Sequence, residues 1–218
     1  MSVLGRVSPR WSASPAAAPA LMTLAVAVAA SWVLLPHLDM MTAAPALFLL
    51  AWSVMMAAMM LPSVAPLVLL YHRGGRFSLV LGYLFVWAAV GVPVFFLSRA
   101  VDLMDVPTFA VAGVLVLAGL YQFSPVKNVC LRVCRSPLDF LALRWGQSPL
   151  RLGVEHGLYC AGCCWALMAV LVVAAAMNLL VAAAIGAIVC AEKALPGGRW
   201  TGRVAGIGLV VASLVTLI

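Results

Sequence analysis

The sequence predicts an all-α fold: a polytopic transmembrane helical bundle of about seven spans, with its N-terminus in the cytoplasm and its C-terminus outside. Three observations predict it. Hydrophobic residues make up 66% of the 218-residue chain and charged residues only 9%, far from the balance of a soluble domain. Several apolar runs approach the ~20 residues that a helix needs to cross a bilayer. These runs neither alternate, as barrel strands would, nor show the polar face of a soluble helix. In lipid the backbone must then satisfy itself, and a helix does so within one segment.

Residues 1–19, rich in Ser, Pro and Ala, read as a disordered cytoplasmic tail. Residues 20–218 read as a single transmembrane domain, with spans near 20–36, 46–71, 79–98, 108–124, 153–177, 178–194 and 201–218. The first span has a second reading. Arg6 and Arg10, the apolar run and Ala27-Val28-Ala29 also resemble a signal peptide with its cleavage site. The fifth and sixth spans are one uncharged stretch from Gly157 to Ala191. As a single helix it would be about 50 Å long against a hydrocarbon core of about 30 Å. It must turn back on itself, and Met177-Asn178 is the polar interruption near its middle. The one long connection, 125–152, combines Lys127, Arg132, Arg135 and Arg144 with Leu138, Phe140, Leu141, Leu143 and Trp145. That mixture suggests a cytoplasmic, amphipathic piece on the inner leaflet.

Orientation follows from charge, because Lys and Arg accumulate in cytoplasmic loops. With the N-terminus inside, twelve of the thirteen basic residues fall on the cytoplasmic side, and only Arg99, beside Asp102 and Asp105, falls outside. The net charge of +7 is therefore an orientation signal. It does not imply nucleic acid, since the charges are scattered over short loops rather than gathered on one basic face.

Candidate chemistry concentrates in His156-Gly-Leu-Tyr-Cys160-Ala-Gly-Cys163-Cys164. On a helix, His156, Cys160 and either Cys163 or Cys164 share a face, one turn apart. A second segment carries Met55, Met56, Met59 and Met60 as i, i+4 pairs just before Pro62, which can kink the helix and free a carbonyl. Thiolates, thioethers and imidazole together suit copper(I) better than they suit hard cations. His37, Asp39, Met40 and Met41 sit in the adjoining outer loop, where an incoming ion would first be met. Cys130 and Cys134, at i and i+4, are flanked by Lys127, Arg132 and Arg135. Nearby cations favour the thiolate, the form that binds metal or exchanges disulfides. Each set also has a plain packing explanation: cysteine and methionine are ordinary fillers of apolar helices, and Gly157 and Gly162 fit close helix contact. Glu155 and Glu192 lie at cytoplasmic span ends, near Arg151 and Lys193, as functional groups or interfacial anchors. No phosphate loop, HExxH motif or nucleophile elbow is present.

Taken together, several stretches resemble a known bacterial family. They are Trp52…Met56-Ala-Ala-Met59-Met60-Leu-Pro62-Ser63, then Tyr121-Gln122-Phe-Ser-Pro125-Val-Lys127…Cys130…Cys134-Arg135…Pro137. Gly157…Cys160-Ala-Gly162-Cys163-Cys164-Trp165-Ala-Leu-Met168 and Glu192-Lys193…Pro196 complete the set. The family is domain of unknown function 2182, described as predicted metal-binding integral membrane proteins and often labelled copper chaperones. The resemblance covers roughly residues 45–200 and implies metal handling. One departure stands out: the His/Met-rich outer loop that many members carry is here only about Pro36 to Pro45.

The expectation is a bacterial inner-membrane protein that binds copper(I) and passes it to a partner apoprotein or across the bilayer. Cys160, Cys163, Cys164 and His156 would form the central site, Met55, Met56, Met59 and Met60 a relay, and Cys130 with Cys134 a cytoplasmic exchange site. The implied partners are the lipid bilayer and a protein that donates or accepts the metal, for which neighbouring genes are a natural place to look. Two other readings stay open. One is a thiol-redox or haem-associated membrane enzyme using Cys160 and Cys163 as a dithiol; the other is a scaffold subunit whose Cys and Met residues only pack.

Overall fold

The computed structural model describes residues 17–38, 44–71, 74–103, 107–173 and 179–217. Among them are nine α-helices and no strand: α1 (Ala17–Leu34, followed by the 3-10 turn Leu35–His37), α2 (Pro45–Leu70), α3 (Arg76–Leu103), α4 (Thr108–Tyr121), α5 (Pro125–Arg135), α6 (Pro137–Leu143), α7 (Pro149–Val173), α8 (Leu179–Ala194) and α9 (Gly198–Leu217). Proline opens α2, α5, α6 and α7, where its missing N–H costs nothing and its φ is already helical. Ser124 caps α5 by accepting a hydrogen bond from the Lys127 amide at 3.1 Å. Gly146, at φ +94°, makes the turn from α6 towards α7 in a conformation that a side chain would resist.

Among the described residues, five helices are long and apolar enough to cross a membrane: Ala18–His37, Pro45–Leu70, Arg76–Val101, Pro149–Val173 and Gly198–Leu217. A sixth arises if α4 and α5, bent by 61° at their junction, count as one. Pro62 and Pro66 lie inside α2, which continues through both. The expected spans thus all correspond to helices, but α4, with 14 residues, and α8, with 16, are shorter than an unaided crossing of about 30 Å needs.

Glycine sets how closely the helices approach. α3 and α7 run side by side in the same sense. A Cβ on Gly153 would stand 2.0 Å from the Leu79 carbonyl oxygen, and one on Gly82 2.2 Å from that of Leu150. Gly157, one turn after Gly153, rests on Val86. On α9 the stripe Gly198, Gly202, Gly206 does the same against the Glu192 backbone, the Glu192 carboxylate and the Gly119 carbonyl. Small residues at a four-residue spacing are how apolar helices gain contact where water supplies no driving force.

The segment 125–152, expected as a loop, is mostly helical. α5 turns Lys127, Leu131 and Cys134 inward and packs on α7, with further contacts to α6 and α8. Polar outer positions made it look like a surface piece, but its i, i+4, i+7 face belongs to the core. The outer-loop residues Asp39, Met40 and Met41 lie outside the described residues.

Candidate metal centre

The centre begins with helical arithmetic on α7. Residues three and four positions after Cys160 straddle the carbonyl that Cys160 presents, and both thiols use it. Cys163 Sγ donates to the Cys160 carbonyl at 3.1 Å and Cys164 Sγ at 2.9 Å. A single helix face holds Cys160 with one of the two, yet both of the later cysteines, expected together at the central site, come within reach of Cys160. The three sulfurs lie within 4.8 Å of one another, and all three residues are buried. Metal–thiolate bonds of about 2.3 Å, as in zinc sites, hold two sulfurs no more than about 4.6 Å apart. The cluster is therefore close to the size a shared ion requires, and its donors are soft.

Other helices complete the surroundings. α5, packed on α7, delivers Cys134 into the same buried core as Cys160 and Cys163, close enough to interact with both electrostatically. Cys134 thus lies beside the three-sulfur group, which consists of Cys160, Cys163 and Cys164. Cys130, one turn earlier and half-buried, lies against Gly162. A Cβ on Gly162 would stand 2.9 Å from the Cys130 sulfur, so the glycine between the α7 cysteines makes room for α5. From α8, Lys193 Nζ donates to Cys160 Sγ at 2.8 Å and to Ser63 Oγ at 3.2 Å. From α3, Tyr83 Oη lies 3.0 Å from the same sulfur and 3.1 Å from Ser63 Oγ. An ammonium in contact with this sulfur offsets the negative charge that a ligating thiolate carries in an apolar core.

His156 stands one turn before Cys160, buried between the rings of Tyr83 (6.0 Å) and Phe140 (5.2 Å). It lies outside the three-sulfur group, and its buried Nδ1 has no hydrogen-bond partner among the described residues. Met55, Met56, Met59 and Met60 are all buried in the same apolar core as the cysteines. Two of them connect to the site through backbone atoms. The Met60 carbonyl accepts from Ser63 and Tyr83 at 2.8 and 3.2 Å, and the Met59 carbonyl lies 4.0 Å from Cys190 Sγ.

A family model described as PpoB2, copper chaperone, matches residues 49–216. The chain belongs to the PpoB2 copper-chaperone family. No curated protein and no solved structure matches it. The match takes in α2 to α9 and hence all six cysteines and the four α2 methionines. A copper-chaperone family and a buried cluster of soft ligands are both consistent with metal binding.

The acidic residues divide. Glu155 pairs with Arg144 at 2.5 Å and with Arg151 at 3.1 Å. Glu192, although next to Lys193 in sequence, turns instead to Lys127 on α5 at 2.7 Å, in a pair that is almost fully buried. Lys127 also donates to Gln122. Sequence reasoning missed Tyr83, the contacts of Lys193 and Ser63 at the sulfur cluster, and the Lys127–Glu192 pair. A lysine inside an otherwise cysteine-bearing apolar face was the available signal for the last of these.

Proposed function

We propose that this protein is an integral membrane copper(I) carrier. It would take the ion on Cys160, Cys163 and Cys164 and pass it to a partner apoprotein or across the bilayer. The observation that carries the reading is the convergence of three buried sulfurs within 4.8 Å, with Cys134 of a second helix buried in the same core. Cys130, half-buried on the same face of α5, would be the handover thiol. His156 would serve as an auxiliary nitrogen ligand, and Met55, Met56, Met59 and Met60 as a weaker thioether path through α2. Seven spans, N-terminus in and C-terminus out, in a bacterial inner membrane, place Cys130 and Cys134 on the cytoplasmic side. The parallel run of α3 and α7 fits that orientation, since both would start from the cytoplasm.

Metal analysis of the purified full-length protein tests the function. Copper retained only by the reduced protein is the expected result. A reversible disulfide or bound haem would support the redox reading, and neither metal nor disulfide would leave a packing role for the cysteines. The topology has its own check, resting on the basic-residue asymmetry. A reporter active only outside the cytoplasm should be active when fused after Ile218 and silent when fused after Arg144. The reverse pattern would move Cys130 and Cys134 to the other face.

A further inference from the structure

Next to the metal centre, but not part of it, α5, the turn between α8 and α9 and the start of α9 line a half-open cavity of about 580 Å³. Four arginines line it: Arg132, Arg135, Arg199 and Arg203, with Asn128 and Trp200 among the remaining wall residues. Among the described residues no carboxylate does so. Two of the arginines are held in place. Arg135 donates to the carbonyls of Glu192, Leu195 and Pro196 at 3.1, 2.8 and 3.2 Å, and the Arg203 guanidinium lies 5.1 Å from the centre of the Trp200 ring. Arg132 and Arg199 are exposed and have no carboxylate partner among the described residues. Glu192, whose main-chain carbonyl accepts from Arg135, has its carboxylate committed to Lys127 in the interior.

Four like charges around one cavity repel each other, and the wall supplies nothing to neutralise them. A volume of this size is typical of a small-molecule site. Guanidinium forks match phosphate oxygens two at a time. We propose that this cavity is a binding site for a phosphate-bearing anion. An anionic phospholipid headgroup is the source that best fits its place. The site opens beside the first turn of α9, where Trp200 is 68% exposed and is followed by the outward-facing apolar residues Val204, Ile207 and Val211. Basic pockets at the cytoplasmic ends of membrane helices hold such headgroups, and Trp favours the interface. The bound phosphate would sit among Arg132, Arg199 and Arg203, while Arg135 ties the cavity to the end of α8 that carries Lys193.

The test uses the full-length protein in detergent, with binding followed by native mass spectrometry and by thermal shift. The probes are phosphatidylglycerol, phosphatidylcholine with the same acyl chains, and inorganic phosphate. Phosphatidylglycerol is expected to bind saturably and raise the melting temperature, and phosphatidylcholine to do neither. R132Q and R199Q, both surface changes, should each weaken phosphatidylglycerol binding about tenfold. R151Q, which removes one charge from an exposed position outside the cavity, should leave it unchanged. Competition by inorganic phosphate would identify the phosphate group as the part recognised. Inorganic phosphate bound while both lipids are ignored would assign the same site to a free anion. The proposal is overturned if neither phosphatidylglycerol nor phosphate binds, or if R132Q and R199Q bind as the parent does. A loss in R151Q equal to theirs would also overturn it.

Discussion

Replacing Cys160 and Cys164 together by serine is expected to abolish tight copper(I) binding while leaving expression and membrane insertion intact. Serine can make the same hydrogen bond to the Cys160 carbonyl that Cys164 makes, so the helix loses little. The metal loses two of its three clustered sulfurs, and a hydroxyl is a hard, weak ligand for a soft ion. The expected loss is at least about a hundredfold in affinity, or about 2.8 kcal/mol, read by competition with a copper(I) chelator of known strength. Met55→Leu with Met59→Leu should cost less, because neutral thioethers bind more weakly than thiolates and leucine refills their volume. Equal stoichiometry and affinity in the cysteine double variant and the parent would remove the central claim.

The largest effect on stability is expected at Lys127. Its ammonium and the Glu192 carboxylate are both almost fully buried, 2.7 Å apart. Lys127→Met would leave Glu192 without its cation in the interior, and breaking a buried pair from one side costs about 3–5 kcal/mol. The protein should melt well below the parent in detergent, or fail to accumulate. Removing both charges, as Lys127→Met with Glu192→Leu, should restore most of the loss, since an apolar pair of similar size replaces buried ions at little net cost. A single variant as stable as the parent would mean that water reaches the pair.

The contrast between Lys127 and Lys193 shows how much of the site the sequence makes legible. Helices, their order and the three α7 sulfurs follow from apolar length and a 3.6-residue period. That information is local, and the Cys160-x-x-Cys163-Cys164 spacing carries it whole. Lys193 looked like the natural partner of Glu192 because the two are adjacent. Adjacent residues on a helix point about 100° apart, so one turns to α5 and the other to α7. Which helix stands in each direction is a property of packing. The same holds for Cys134, whose arrival beside Cys160 depends on α5 folding back onto α7 and on Gly162 leaving space for it. Residues 125–152 read as a surface piece for a related reason. Their composition is amphipathic, and amphipathicity alone does not tell a lipid headgroup region from a protein neighbour.

Cys134 gives the cluster a mechanical side. An ion held by Cys134 together with Cys160 and Cys163 would close the chain into a loop running through α6 and the Gly146 turn, as a covalent cross-link would. A cross-link over a loop of this length restrains the unfolded chain by about 3.5 kcal/mol. Loading would therefore stiffen α5 against α7, and unloading would free it. The helix that offers Cys130 for handover would then be most mobile when it is empty and ready to receive.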